Sequence, residues 1–258
     1  MYKSLLPTAA AAVAVALVAS SAQAQSVGGY LGATYSRTDV DVVGPNSKLD
    51  NYAVDGAAQF KIGTLNALAS VAVSDTGGDV SDTVDYDFTG HLNGKLGNAL
   101  VGGFAGVYTT RGLDVWSLGV EGQAEVAPNF VLYGQGAWGR GDGLDGADLW
   151  AVRGEARYFV TDNAKLQAQA GWSKVDTKHL GSSDTWTVGV SGEYQFAGTP
   201  WSVLAGYDYA DAHDLDVKSH TFRIGGRYTF GGATLKARDA AGVDLAPVKK
   251  LFTGVTGF

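Results

Sequence analysis

The pentapeptide Gly154-Glu-Ala-Arg-Tyr158 recurs along the latter half of the chain with the same alternation of residue types. Its counterparts are Gly122-Gln-Ala-Glu-Val126, Gly192-Glu-Tyr-Gln-Phe196 and Gly226-Arg-Tyr-Thr-Phe230. In each copy the even-numbered positions are glycine, apolar or aromatic, while the odd-numbered positions carry a charge, an amide or a hydroxyl. Because successive side chains of a strand point to opposite faces, one face suits lipid and the other suits water. The pattern predicts a transmembrane β-barrel.

A soluble β-sandwich has the same alternation, so the positions of the aromatic residues matter. The aromatic residues at strand ends are Trp116, Trp150, Trp186, Tyr158, Tyr194, Phe196, Tyr228 and Phe230. Two bands of aromatic residues at strand ends are typical of the two interfaces of a membrane. Outward glycine and alanine also recur at strand centres, where they would pack a sandwich core poorly. Both observations favour the barrel.

The first residues resemble a secretory signal peptide in their order of residue types. Lys3 precedes an apolar stretch from Leu5 to Ala19, and Ala22-Gln-Ala24 follows as a cleavage site. A membrane anchor is the alternative, but the stretch is shorter than the ~20 apolar residues that a helical span needs. We therefore expect residues 1–24 to be removed and the mature chain to begin at Gln25.

Composition excludes several classes of function. The chain has 19 basic and 26 acidic residues, a formal net charge of −7, which argues against nucleic acid as a partner. It has no cysteine, so it has no disulfide framework, no thiolate metal site and no cysteine nucleophile. Beyond the first residues no long apolar run predicts a helical span.

The alternation predicts an all-β, closed antiparallel transmembrane barrel of about twelve strands over residues 25–230. The predicted strands are 28–38, 51–61, 65–75, 83–93, 98–109, 114–126, 129–139, 148–160, 164–174, 184–196, 200–210 and 218–230. Short turns alternate with mostly longer connections, and outer-membrane barrels have short periplasmic turns and longer external loops. We therefore expect both termini in the periplasm. The inward face of the fifth strand is not settled by its sequence, and ten or fourteen strands remain possible.

The closing strand Phe222-Arg-Ile-Gly-Gly-Arg-Tyr-Thr-Phe230, with the signal peptide and the spaced tryptophans, resembles small porin-type outer-membrane barrels of Gram-negative bacteria. The resemblance implies outer-membrane lipid and lipopolysaccharide as partners. It also implies that Phe222, Tyr228 and Phe230 form the signal recognised by the barrel assembly machinery.

The chain departs from that family after Phe230, because the family's terminal aromatic is usually the last residue and here residues 231–258 follow. We expect this segment to be a periplasmic C-terminal tail. One hypothesis is a disordered tail; the other is that residues Val248 to Leu251 dock into the periplasmic mouth as a partial plug.

The inward positions indicate what the barrel interior does. The residues predicted to line its constriction are Gln123, Glu125, Arg153, Glu155, Arg157, Glu193, Arg223 and Arg227. The side chains of an eight-stranded barrel just fill its interior, and twelve strands enclose a larger cross-section. We therefore expect a narrow water-filled channel for passive diffusion of small hydrophilic solutes or ions. Asp85, Asp87 and Asp208 favour a weak preference for cations. The alternative is a closed barrel with a structural or adhesive role.

An enzyme is a remote alternative. Asp85, Asp87 and His91, together with Asp211-Ala-His-Asp214, resemble the carboxylate pair and Asp-His couple of omptin-type outer-membrane proteases, but that spacing is common in acidic loops. We expect no catalytic activity, no cofactor and no dedicated metal site. The segment from Gly141 to Asp148 is an acidic turn rather than an EF-hand loop. The oligomeric state is not indicated, with a monomer preferred.

Overall fold

The computed structural model describes residues 26–42, 47–78, 83–110, 113–142, 146–177, 181–232 and 234–256. The described residues form twelve antiparallel strands, each paired with its neighbours in sequence, and β12 pairs with β1 to close the barrel. The strands are β1 Ser26–Asp41, β2 Ser47–Ile62, β3 Leu65–Gly78, β4 Thr83–Leu96, β5 Ala99–Thr110, β6 Leu113–Ala127, β7 Phe130–Asp142, β8 Ala147–Thr161, β9 Ala164–Thr177, β10 Gly181–Gln195, β11 Trp201–Ala212 and β12 Val217–Phe230. The predicted signal peptide lies outside the described residues.

The prediction of a closed twelve-stranded barrel is confirmed, although several strands are longer than expected. β2 begins at Ser47 rather than at residue 51, and its polar first residues still pair with β1, as Lys48 does with Asp39. A polar side chain ends the segment suited to lipid, but it does not interrupt backbone hydrogen bonding. The sequence pattern therefore located the membrane-facing part of each hairpin better than its ends.

The two rims of the barrel differ, and we call them the short-turn end and the long-loop end. The short-turn end has tight connections in which Gly63, Gly97, Gly198 and Asn129 adopt positive φ angles. Such angles suit glycine and, among other residues, asparagine best. The first residue of β1 and the last residue of β12 lie at this end, since the strand number is even. A 3-10 helix, His213–Leu215, lies at the long-loop end.

Side chains alternate across the barrel wall as the sequence predicts. In β8, Trp150, Val152 and Tyr158 are exposed on the outside, while Arg153 and Arg157 are buried inside. The outer surface is consequently apolar and edged by aromatic residues, as a lipid-facing surface requires.

The inward face of β5, which the sequence left unsettled, carries the bulky residues. Leu100, Phe104 and Tyr108 are buried at four-residue intervals, whereas Val101 and Val107 are exposed on the outside. The inner wall thus has an apolar stripe along one strand, which a wall facing only water would not need.

The C-terminal segment does not extend away from the barrel, so the expectation of a disordered tail outside it is corrected. Helix α1, Leu235–Ala240, starts at the short-turn end, where the Lys236 amide donates to the Asp162 carbonyl at 3.0 Å. Helix α2, Lys249–Thr256, begins further along the lumen, and its Phe252 is buried beside Leu149 and Val175 toward the long-loop end. No helix in the described part of the chain is long and apolar enough to cross a membrane.

A turn at Gly242 joins α1 to the extended segment that leads to α2. Gly242 has φ of +86°, and a Cβ added there would lie 2.7 Å from Cδ2 of Leu100. Both the backbone angle and the close approach to the wall require glycine. The segment can therefore change direction while remaining against β5.

Candidate functional site in the barrel lumen

The candidate site is the lumen together with residues 234–252, which we call the plug. Buried ion pairs hold the first half of the plug to the wall near the short-turn end. Arg157 of β8 binds Asp239 at 2.6 Å, Lys165 of β9 binds Asp244 at 2.7 Å, and Arg238 binds Glu193 of β10 at 2.7 Å. These side chains are at most 7% exposed. Charges buried this deeply are tolerated only with their partners in place.

Asp244 is the acidic centre of this group. Its carboxylate also accepts from Nη2 of Arg238 at 3.2 Å. Burial by itself would raise the pKa of Asp244, but the attraction of Arg238 and Lys165 holds that pKa well below its usual range. Asp244 therefore stays ionised, and one plug residue ties β9 to α1.

The wall also satisfies the backbone of the extended plug segment. The side chain of Gln59 donates to the Ala241 carbonyl, and the Ala246 amide donates to the Tyr133 hydroxyl at 3.2 Å. Further along, the Val248 amide donates to Thr89 at 2.9 Å and the Lys249 amide donates to Asp87 at 2.8 Å. Backbone groups away from water need such partners, so these inward polar residues act as a binding groove for the plug.

Apolar contacts form two clusters between plug and wall. The cluster nearer the short-turn end contains Tyr30, Ala57, Leu68, Leu100, Tyr133, Val243, Leu245 and Ala246. The cluster nearer the long-loop end contains Phe104, Tyr108, Val115, Ala137, Ala147, Leu149, Ala151, Val175, Val248, Leu251 and Phe252. The apolar stripe of β5 contributes to both clusters, which explains why bulky residues point into this barrel.

Seven of the eight residues predicted to line the constriction point into the lumen, and most of them are engaged in contacts. Gln123 donates to Asp239 of the plug, and Glu155 lies between Arg153 and Arg157. Arg227 approaches both Asp55 and Glu193, at 3.6 Å and 3.5 Å. Arg223 pairs with Asp208. Their role in selectivity stays a prediction.

Glu125 differs from the other seven. It lies exposed at the short-turn end, where it pairs with Lys236 at 3.1 Å and accepts from the Asn129 amide. The alternation places it on the inner side, but the strand ends there and the side chain reaches the rim. It contributes to the seat of α1 rather than to the lumen surface.

The sequence reasoning missed the plug residues that complete the site, namely Arg238, Asp239, Asp244 and Lys249. Two signals were present in the sequence. One is the apolar side chains on one face of β5, and the other is a tail that carries both bases and acids, which can pair with opposite charges inside the barrel. The expected docking of residues Val248 to Leu251 identified the apolar part of the plug, but placed it at the mouth rather than along the lumen.

Part of the lumen wall stays partly accessible to water beside the plug, and we call this space the vestibule. Helix α2 approaches β10 and β11 without fully burying the residues there. The vestibule wall consists of small or hydroxyl-bearing residues that remain half-buried, which are Thr34, Ser36, Thr187, Ser191, Gly206 and Thr221. On the same strands nearer the short-turn end, Tyr30, Glu193, Ser202 and Thr229 are buried. The vestibule is therefore open toward the long loops and closed by the plug toward the short turns.

The residues that suggested a protease lie in different environments. His91 binds Glu121 at 2.9 Å, and both side chains are buried below the plug. His213 lies exposed in the 3-10 helix at the long-loop end. Among the described residues, no group of three His, Asp or Glu side chains is arranged to hold a metal ion. Residues 143–145 of the acidic turn lie outside the described part.

The sequence matches no protein-family profile and no curated protein sequence. Solved structures, in contrast, are similar in fold. The COG4313 outer membrane channel from Pseudomonas putida F1 is similar with a TM-score of 0.63 and 12% identity, over 79% of this chain and 96% of that one. The translocator domain of the autotransporter NalP from Neisseria meningitidis has a TM-score of 0.54 and 16% identity, over 86% of this chain and 97% of that one.

The KdgM porin, solved in complex with disordered oligogalacturonate, has a TM-score of 0.51 and 10% identity, over 77% of this chain and 99% of that one. This chain has the fold of outer-membrane β-barrel proteins. At these identities the likeness establishes the fold of the barrel alone. The fold is shared by channels and by a translocator domain, so function must be argued from the lumen.

Proposed function

We propose that this outer-membrane barrel is a channel for passive diffusion of small hydrophilic solutes or ions, held closed by its own C-terminal plug. The observation that carries the proposal is the vestibule, because a plug that served only as core would leave no water-accessible wall beside it. The plug is also bound largely through ion pairs and hydrogen bonds, which water can replace when the segment leaves. Two of the three similar structures are called a channel or a porin, which supports the same class.

The orientation follows from the alternation of connections. We infer that the short-turn end faces the periplasm and the long loops face outward, with both ends of the barrel sequence on the periplasmic side. The plug then enters from the periplasm, and the vestibule opens to the exterior. In this orientation Phe222, Tyr228 and Phe230 lie on the last strand, where we propose that the assembly machinery binds. Phe222 and Tyr228 are exposed on the outer surface, as such a contact requires.

A closed structural or adhesive barrel is the second candidate, and the apolar cluster around Phe252 favours it. This cluster packs the plug against five wall strands through buried apolar and aromatic side chains. A permanent core has that composition, whereas a segment that must leave would expose it to water. We propose no catalytic role, since the residues that suggested one are buried below the plug or exposed at the rim.

Single-channel conductance separates the two candidates. The refolded protein of residues 25–258 and a truncation ending at Phe230 are compared in planar bilayers. The channel proposal expects few or no openings from the longer protein and steady conductance steps from the truncation. A truncated protein that is folded and resists heat in detergent but shows no conductance would mean that the inner wall collapses into a polar core. The structural role would then be preferred.

A further inference from the structure

Inside the barrel, away from its two rims, the charged groups that water can reach are mainly basic. The bases exposed by more than a tenth are Arg223, Arg227, Lys249 and Lys250, and the acids are Asp55 and Asp208. This balance is opposite to that of the whole chain, whose net charge is −7. The vestibule is therefore an electropositive space within an acidic protein.

The plug contributes to this imbalance, because it binds two lumen acids and brings Lys249 and Lys250 into the lumen. Asp87 accepts from the Lys249 amide, Asp85 pairs with the Lys249 ammonium at 3.3 Å, and both acids are buried. Glu121 and Glu155 are likewise buried among wall residues. Of the three acids expected to favour cations, Asp85 and Asp87 are thus not available to a solute in the vestibule, and Asp208 is paired with Arg223.

Of these four bases, Lys250 has the fewest ion-pair partners. It is exposed on α2, and among the described residues it has no carboxylate within ion-pairing distance. Burial within the barrel, together with repulsion by Arg153, Arg223 and Arg227, lowers the pKa of Lys250 to about 7, so a bound anion would favour its charged form. Glu155, which attracts Lys250, is already engaged by Arg153 and Arg157. A like-charged cluster in a partly enclosed space attracts anions strongly, because the surrounding wall focuses the field.

The arginines on β12 supply directed hydrogen-bond donors to the same space. Arg223 lies over Gly206, where an added Cβ would be 2.9 Å from its guanidinium. The Arg227 guanidinium stacks on the Tyr30 ring at 4.4 Å, which holds its plane in place. Guanidinium groups held in this way bind carboxylate and phosphate oxygens in a fixed geometry.

We propose that the vestibule binds a small soluble oxyanion, with a carboxylate or phosphate group, between Lys250 of the plug and Arg223 and Arg227 of β12. The inference rests on the proposed function, because it names the class of solute that the channel admits. The small residues of the vestibule wall remain partly accessible to water beside these arginines. The anion contacts the plug and the wall together, so it relieves their mutual repulsion and stabilises the closed state through linkage.

Calorimetric titration of the refolded full-length protein tests the proposal. The titrant is citrate, with glucose as the neutral control, in a detergent free of lipid phosphate so that any binding reports a soluble anion. Citrate should bind in a ratio of one to one, and glucose should give no heat of binding. Lys250→Gln should weaken citrate binding at least tenfold, whereas Lys250→Arg should keep it. Lys218→Gln, at an exposed position on the outside of β12, is the matched control and should bind as the original protein does.

Equal citrate affinity in the original protein and in Lys250→Gln would refute the site, and so would the absence of citrate binding to the original protein. These outcomes are independent of the channel proposal. A truncation that conducts, combined with a full-length protein that ignores citrate, refutes only the anion site. A silent truncation refutes the channel, while citrate binding that depends on Lys250 would still establish the anion site.

Discussion

At the scale of single residues, the plug depends on buried charges that pair across the boundary between plug and wall. Asp244 is buried between Lys165 and Arg238, and nothing in the residues next to it in sequence distinguishes it from Asp239, the other acid of the tail. Its importance arises from residues about 80 positions earlier in the chain. Contacts of this kind are visible only once the fold brings the strands around the plug.

Replacing Asp244 with Asn should loosen the plug without unfolding the barrel. The change leaves Lys165 and Arg238 with one carboxylate, Glu193, and should weaken docking by roughly 3 kcal/mol. This corresponds to about a hundredfold shift toward the open state. The measurement is the rate at which protease cleaves the tail of the refolded protein, together with the frequency of channel openings.

The control for Asp244→Asn is Asp216→Asn, because Asp216 is exposed and its positive φ of 51° is one that asparagine tolerates. Cleavage and opening should be unchanged in the control. If protease cleaves the tail of Asp244→Asn as slowly as that of the original protein, the ion pairs do not hold the plug.

Phe252→Ala tests the apolar contact at the other end of the plug. Phe252 is fully buried beside Leu149 and Val175, and removing a buried phenyl ring costs roughly 3–5 kcal/mol. Phe88→Ala is the matched control, since Phe88 is 55% exposed on the outer surface. We expect frequent openings from Phe252→Ala alone, in a protein whose barrel remains resistant to heat in detergent. Similar behaviour of the two variants would contradict the role of Phe252 as a plug anchor.

At the scale of elements, the strands were predictable and the plug was not. The period of two and the aromatic bands depend on each strand's own environment, so Gly154-Glu-Ala-Arg-Tyr158 indicates a strand by itself. The inner stripe of β5 is different, because Leu100, Phe104 and Tyr108 obey the alternation only if something apolar fills the lumen beside them. If the lumen holds only water, neither face of this strand is polar enough to be its inward face.

The inward face of β5 can be tested chemically, since the chain has no cysteine of its own. A single Phe104→Cys variant should be protected from a water-soluble thiol reagent in the full-length protein and labelled after truncation at Phe230. Ala105→Cys, its neighbour on the opposite face, should remain unlabelled in both forms in lipid. Rapid labelling of Phe104→Cys in the full-length protein would mean that the plug does not cover β5.

At the scale of the whole molecule, the closed state should resist salt. The ion pairs that hold the plug are buried at the short-turn end, whereas screening acts on charges that water surrounds. We therefore expect the frequency of openings to be nearly the same in 0.1 M and 1 M potassium chloride, although the Debye length falls from about 10 Å to about 3 Å. Openings that become much more frequent at high salt would indicate that solvent-exposed charges control the plug.

The covalent connection at Phe230 sets the local concentration of the plug. The plug is part of a 28-residue segment, residues 231–258, that is covalently attached to Phe230. This segment reaches at most roughly 90 Å when extended, so a displaced plug remains near the barrel mouth that it left. For a segment tethered at this length, the effective concentration at its binding groove is on the order of millimolar. Reclosure is therefore a first-order process that does not depend on how much protein the membrane contains. A free peptide of the same sequence would have to be supplied at comparable concentration to silence a truncated barrel.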